Sequence, residues 1–179
     1  MSDIWAGLTP PYRTIVADPP WRYQSAATKA DAGKYYPTMS IDDLAELPIR
    51  SLAADDAHLW LWGTNAMLED AYWLVRVWGF RPITLVTWCK KQPGVGYYLR
   101  NNTEHLIFAT HGKPMVPEPK PVSTWFVWPR GEHSRKPDAS YDLIEQVSPG
   151  PYLELFARRN RLGWDTWGNE CLQHVEAAV

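Results

Sequence analysis

The sequence is poor in cysteine and in long apolar segments. Only Cys89 and Cys171 occur among 179 residues. They form no CxxC pair, and their spacing fits no zinc-binding pattern. No run of about 18 apolar residues is present, and the first residues lack the apolar core of a signal peptide. We therefore expect a cytoplasmic protein with no membrane segment. The spacing of His105, His111 and His133 likewise indicates no metal site.

Phosphate-binding motifs and excess positive charge are also missing. Neither GxGxxG nor GxxxxGK[ST] occurs, which argues against a site that cradles the phosphates of NAD or ATP. A phosphate-free cofactor that joins an adenosine to a zwitterion stays open. The net charge is −2, so contacts with nucleic acid must come from local basic patches. The candidate patches, each equally typical of a solvated face, are Lys90, Lys91 and Arg100; Arg130, Arg135 and Lys136; and Arg158, Arg159 and Arg161.

The chain is instead rich in tryptophan and tyrosine. It contains 11 Trp and 9 Tyr, far more Trp than a chain of this length normally carries. Large aromatic rings most often lie in a core. They also stack on flat ligands such as nucleic-acid bases. The composition leaves both interpretations open for any single ring.

Strand and helix patterns alternate along the chain. Helices are predicted at 41–47, with Ser40 as N-cap, at 66–78, where Gly79 follows as the stop, and at 137–147. The continuous apolar run at 83–89 is typical of a strand buried on both faces. Strands are predicted at 14–17, 58–63, 83–89, 104–110, 125–128 and 152–157. This alternation predicts one α/β domain over residues 1–179, with a mostly parallel sheet.

An acid, two prolines and a tryptophan directly follow the first predicted strand, in "TIVADPPW". Ligands of open α/β sheets bind beyond the carboxyl ends of the strands, and Glu154 lies near the end of another strand. The Asp18 side chain and the carbonyl before Pro20 can accept hydrogen bonds from an exocyclic amine, while the prolines fix the backbone. Trp21 can stack on the attached base. A tight turn alone explains the prolines but not the flanking acid and ring.

This stretch resembles motif IV of the amino-methyltransferases, in the form typical of the MT-A70 family of N6-adenine methyltransferases. The resemblance extends from about residue 14 to residue 170. The element "ADPPW" precedes "ELFAR", which is the permuted, β-type motif order. The other similar segments, in order, are "YYPTMSIDDLAELP", "LWLWGTNAMLEDAYWLVRVWGF" and "HSRKPDASYDLIEQVSPGPYLELFARRNRLGWDTWGNE".

The resemblance implies a Rossmann-like class I methyltransferase sheet with helices on both faces. It implies direct in-line transfer of a methyl group from S-adenosylmethionine to N6 of adenine. The compact form is similar to bacterial and phage members, which favours DNA as the substrate. A homodimer, or a partner that supplies sequence recognition, is also expected. The alternatives are an RNA N6-adenine methyltransferase, an inactive methyltransferase-like binding subunit, and an enzyme acting on another amine such as cytosine N4 or a protein glutamine.

The resemblance also assigns roles to residues. Two loops, 21–38 and 92–102, match mobile segments around the substrate. The catalytic set is Asp18, Pro19, Pro20 and Trp21. The cofactor-binding set is Asp18, Lys136, Glu154, Phe156, Arg158, Asn160, Asn169 and Glu170. The substrate-binding set is Trp21, Tyr23, Lys91, Tyr98 and Arg100.

Overall fold

The computed structural model describes residues 4–22, 38–92, 94, 98–113, 122–129 and 135–168. Within these ranges the α-helices are α1 (Ile41–Ala45), α2 (Leu68–Val77) and α3 (Asp138–Val147). Short 3-10 turns lie at Ile49–Leu52 and Asn65–Met67. The strands are β1 (Tyr12–Ala17), β2 (Ala53–Thr64), β3 (Arg81–Cys89), β4 (Thr103–His111), β5 (Trp125–Val127), β6 (Tyr152–Leu155) and β7 (Trp164–Trp167).

These strands form one sheet in the order β5-β3-β4-β2-β1-β6-β7. Among the described strands only β4 runs against its neighbours, pairing antiparallel with β2 and β3. The carboxyl ends of the other strands therefore meet at one edge, where β4 begins. The two motif strands β1 and β6 are neighbours in the sheet, with Val16 opposite Glu154. The predicted α/β fold and its mostly parallel sheet are confirmed.

One face of the sheet is covered by α1 and α2. Because side chains alternate along a strand, Ile15, Leu59 and Leu153 point to the same side. They are fully buried in one cluster with Leu44 of α1 and Leu74 of α2. Each such aliphatic side chain contributes about 1.5–3 kcal/mol on burial. This cluster holds the central strands, and hence their carboxyl ends, in a fixed register.

The opposite face is covered by α3. Val16, Trp60 and Trp62 alternate with the residues of the first face and pack against Tyr141 and Ile144. This core is built largely from aromatic rings, so the core interpretation of the tryptophans holds here. Helices on both faces of the sheet, as the family resemblance implied, are therefore confirmed. None of the helices in the described ranges is long and apolar enough to span a membrane.

The predicted helix start at Ser40 is confirmed by a capping box. The Ser40 hydroxyl accepts from the backbone N–H of Asp43 at 3.1 Å, and the Ser40 N–H donates to the Asp43 carboxylate at 3.1 Å. At the end of α2, Gly79 adopts a φ of 82°, the left-handed conformation that glycine tolerates best. Both signals are local in the sequence, and they place the start of α1 and the end of α2 correctly. α1 ends two residues before, and α2 begins two residues after, the limits predicted from the sequence.

The prediction that residues 83–89 are buried on both faces is wrong for the first half of the strand. Ile83 is 48% exposed, whereas Val86 and Trp88 are buried. The reason is the shortness of β5, which pairs only with Thr87–Cys89. Within the described ranges, the preceding residues of β3 form the edge of the sheet and pair with no strand on that side.

Gly168 lies close to the backbone that follows β6. A Cβ atom on Gly168 would lie 2.1 Å from the Ala157 carbonyl oxygen. We expect Gly168→Ala to destabilise the fold by about 1–3 kcal/mol, because backbone must shift to admit the methyl group. Gly63→Ala is the control, since its Cβ would meet Ala71 at an ordinary 3.5 Å. Urea unfolding measures both, and equal losses of stability would contradict this account.

Candidate active site

Charged side chains from three parts of the chain meet at the carboxyl edge of the sheet. Asp18 directly follows β1, Lys136 lies just before α3, and Glu104 is the second residue of β4. Lys136 Nζ lies 3.0 Å from Asp18 Oδ1 and 3.1 Å from Glu104 Oε2. The three side chains are only 15–20% exposed. The sequence-predicted pair Asp18 and Lys136 is thus in direct contact.

The Lys136 ammonium is held in its charged form. Burial alone would lower the pKa of Lys136, but Asp18 and Glu104 outweigh burial and raise it above its ordinary value. The ammonium also lies 5.1 Å from the centre of the Trp62 ring, within the range of a cation–π interaction. The site therefore contains a fixed, largely buried positive charge.

Glu104 belongs to this charged cluster, and sequence reasoning missed it. Its two oxygens bind different lysines, Oε2 contacting Lys136 and Oε1 contacting Lys90. Burial acts to raise the pKa of Glu104, but the two ammonium groups hold it below its ordinary value. An acid at the start of an apolar strand was the available signal. Its place at this edge depends on β4 being antiparallel, which no local pattern reveals.

Glu154 contributes a third carboxylate, which is buried. Its Oε1 accepts a hydrogen bond from the Tyr141 hydroxyl at 2.7 Å. Its Oε2 is buried, and no residue in the described ranges donates a hydrogen bond to it. Burial raises the pKa of Glu154 above its ordinary value despite the hydrogen bond from Tyr141, and burial with nearby Glu154 raises the pKa of Tyr141. An unmatched buried acceptor beside Asp18 fits a ligand that brings an N–H or O–H donor.

Trp21 is arranged differently from the sequence-based expectation. Trp21 is only 6% exposed, and its indole N–H donates to the Trp62 carbonyl at 3.2 Å. Its ring therefore packs in the core and anchors the tetrapeptide, where the sequence led us to expect an open stacking face. The Pro19 carbonyl accepts from the Trp21 N–H at 2.8 Å, and the Pro20 carbonyl accepts from Met39 at 2.9 Å. One lone pair of the Pro19 carbonyl is left for a ligand.

The residues after β6 surround the same edge. Phe156 has a φ of 61°, a left-handed conformation that is strained for a bulky side chain and is typical of functional sites. The centre of its ring lies 5.7 Å from the centre of the Trp167 ring, in an edge-on arrangement. Arg158, two residues later in the sequence, is half-buried. Asn160 is exposed and accepts from the Thr166 hydroxyl at 2.9 Å. The predicted residues Tyr23, Asn169 and Glu170 lie outside the described residues.

The predicted substrate-side residues lie between β3 and β4. Lys91, Tyr98 and Arg100 are all exposed, on a connection that begins and ends at the edge carrying Asp18. Most of the loop 21–38 lies outside the described residues, as does part of 92–102. The described part of this connection thus presents basic and aromatic groups to solvent near the buried charges.

The third candidate basic patch, Arg158, Arg159 and Arg161, is largely neutralised by acidic side chains of α3. Arg161 lies 3.6 Å from Asp142 and 3.4 Å from Glu145. Arg159 pairs with Asp138 and lowers the pKa of that carboxyl. These contacts fasten α3 to the segment after β6. They leave little positive charge there for a phosphate backbone.

Comparison with known proteins identifies the family. The model of the MT-A70 family matches residues 12–170. The chain belongs to the MT-A70 family. The match covers nearly the same residues as the resemblance found in the sequence, which is thereby confirmed.

The MT-A70 relatives are methyltransferases from bacteria and eukaryotes. The type II methyltransferase M.MunI of Mycoplasma sp is 33% identical over 182 residues, covering 89% of this chain and 77% of that protein. The human N(6)-adenosine-methyltransferase catalytic subunit METTL3 is 28% identical over 170 residues, again 89% of this chain but only 28% of METTL3. A probable N(6)-adenosine-methyltransferase of Oryza sativa is 29% identical and is covered over 23% of its length. This MT-A70 chain is therefore assigned to the methyltransferases.

Glu154 should lower the stability of the ligand-free protein. We expect Glu154→Gln to stabilise the fold by about 1 kcal/mol at pH 7, because a buried carboxylate oxygen without a donor is replaced by a neutral amide. Because burial raises the pKa of Glu154, the free-energy cost of burying its charge appears only as the pH rises and the carboxyl ionises. The gain should therefore disappear below about pH 4, where the carboxyl is protonated in both states. Chemical unfolding at several pH values measures this.

The exposed Glu69→Gln in α2 serves as the control for that measurement. It should change stability by no more than about 0.5 kcal/mol at any pH. A Glu154→Gln variant that is destabilised at pH 7 would show that the carboxylate is satisfied in the free protein.

Proposed function

We propose that this MT-A70 chain transfers the methyl group of S-adenosylmethionine to N6 of adenine in DNA. The observation that carries the proposal is the Lys136–Asp18 ion pair at the carboxyl edge, beside the unmatched oxygen of Glu154. A fixed cation, a polar acceptor and an acceptor in need of a donor lie together at the place where open α/β sheets bind ligands.

The residues present fit S-adenosylmethionine. Lys136 offers a buried ammonium to the ligand carboxylate, and Asp18 and Glu154 offer acceptors to the ligand ammonium. Phe156 and Arg158 are proposed to form the wall beside the ribose. The other proposed contacts are Asn160, which is exposed, and Asn169 and Glu170, which lie outside the described residues.

When bound, S-adenosylmethionine supplies a methyl group already activated by its sulfonium. The remaining work of the chain is to hold the target amine in line and to exclude water. Asp18 and the free lone pair of the Pro19 carbonyl would each accept one N–H of the amine, directing the nitrogen lone pair towards the methyl group. Trp21 keeps both acceptors in place through its bond to Trp62. No general base is needed, because the proton can leave after transfer.

DNA is the substrate that we favour. The bacterial relative, a type II methyltransferase, is matched over most of its length, and Lys91, Tyr98 and Arg100 can hold a displaced base and its backbone. The second candidate is RNA, because several relatives bear the name N(6)-adenosine-methyltransferase. A second copy or a recognition partner is proposed to supply sequence selectivity, and a cytoplasmic location stays a prediction. An inactive binding subunit would have no need for Asp18, Lys136 and Glu154 together.

The substrate is tested with matched oligonucleotides. The chain is incubated with S-adenosylmethionine and single- or double-stranded DNA or RNA, and the nucleosides are analysed by mass spectrometry. We expect N6-methyladenine in DNA, and its loss in Asp18→Ala, because the amine loses an acceptor. The exposed Asp55→Ala is the control and should keep its activity. Methylation of RNA alone would reassign the substrate, and full activity of Asp18→Ala at saturating cofactor would refute the mechanism.

Cofactor binding is tested separately by calorimetry. We expect Lys136→Ala to weaken the affinity for S-adenosylmethionine by about tenfold or more, because the ligand carboxylate loses a charge-assisted partner. The exposed Lys113→Ala is the control and should bind normally. An unchanged dissociation constant in a folded Lys136→Ala variant would remove Lys136 from the cofactor site.

A further inference from the structure

Four charged side chains form one largely buried network of ion pairs at the candidate site. The network runs from Asp18 to Lys136, from Lys136 to Glu104, and from Glu104 to Lys90. Each oxygen of Glu104 faces a different ammonium group. The set holds two positive and two negative groups, so it is neutral as a whole. Glu104 is the only member that touches two lysines.

Glu104 is held rigidly by its place in the sheet. It lies between Thr64 of β2 and Trp88 of β3 in the strand register. Its side chain points to the α3 face, the face of the Trp62 and Trp88 rings. Lys90 Nζ lies 4.6 Å from the Trp88 ring centre, as Lys136 lies against Trp62. The Trp62 and Trp88 rings and the pairing of β4 on both sides therefore fix the Glu104 carboxylate between its two lysines.

Asp18 has two tasks that compete. One of its oxygens lies in the ion pair with Lys136, and in the proposed reaction the carboxylate also accepts from the target amine. A buried lysine with a single carboxylate partner would draw that carboxylate fully into the pair. Glu104 supplies a second partner at a nearly equal distance of 3.1 Å, so the ammonium charge is divided between two acids.

We propose that Glu104 is a positioning residue for methyl transfer, holding Lys136 beside Asp18 while leaving Asp18 an oxygen for the target amine. This inference rests on the proposed function. Glu104 acts through Lys136 and touches neither reactant. It also fixes Lys90 at the start of the connection that carries Lys91, Tyr98 and Arg100, which joins the buried site to the proposed substrate side.

The kinetic test uses Glu104→Gln in the full chain, with Glu104→Asp as the conservative variant. At saturating S-adenosylmethionine, we expect Glu104→Gln to lower the single-turnover rate by about tenfold or more, because the acceptor geometry is displaced. Its dissociation constant for the cofactor should change by less than about threefold, since Lys136 stays available to the ligand carboxylate. Glu104→Asp should recover part of the rate. The exposed Glu69→Gln should match the unmodified chain.

A second measurement does not depend on activity. Reductive methylation with formaldehyde and cyanoborohydride as the hydride donor, read by peptide mass spectrometry, reports how strongly each lysine is paired. We expect Lys136 and Lys90 to react at least about fivefold faster in Glu104→Gln, because each loses an ion-pair partner. Exposed Lys113 should react at the same rate in both chains.

The outcomes separate the two proposals. A chain that binds no cofactor and methylates no oligonucleotide overturns the proposed function, and with it the catalytic part of this inference. Unchanged labelling of Lys136 and Lys90 overturns the shared carboxylate whatever the activity. Normal turnover by Glu104→Gln, or equal losses of rate and cofactor affinity, overturns positioning, since a purely structural role or a direct cofactor contact predicts those results. A selective loss of rate with faster labelling supports it.

Discussion

The ion pair between Lys136 and Asp18 is the contact on which the candidate site depends. A lysine that is largely removed from water requires carboxylate partners, because desolvation otherwise expels the charge. This requirement brings the segment before α3 to the end of β1, although these belong to different layers. It also explains the acid at the start of β4 and the tryptophan rings on either side, which complete the surroundings of the ammonium.

The same edge carries a carboxylate that the fold does not satisfy. Tyr141 binds one oxygen of Glu154 and leaves the other without a donor in the described ranges. Natural proteins retain such unfavourable groups mainly where a ligand completes them. The left-handed Phe156 two residues later is a second local departure from a relaxed backbone. Both departures lie on the segment that carries the "ELFAR" element, which the sequence had already marked as functional.

The sequence predicted features that depend on neighbouring residues and missed those that depend on distant ones. Local patterns of apolarity and turn chemistry predicted six of the seven described strands, the Ser40 cap, the Gly79 stop and the place of Asp18, but not β7. The role of Glu104 depends on the direction of β4, and the burial of Trp21 depends on a carbonyl of β2. The exposed half of β3 reflects the length of its neighbour. A run of apolar residues does not reveal how far the adjacent strand extends.

The pairing of β1 with β6 has a consequence for synthesis and folding. Val16 lies opposite Glu154, so the central strand pair joins an early part of the described chain to a late part. Contacts of such long sequence separation close slowly, since a large loop must lose its freedom before they form. On the ribosome, β1 and β2 are made long before the strand that covers the open side of β1. The edge that carries the candidate site is therefore completed late in synthesis, and a nascent chain stopped before β6 exposes the apolar flank of β1 to aggregation.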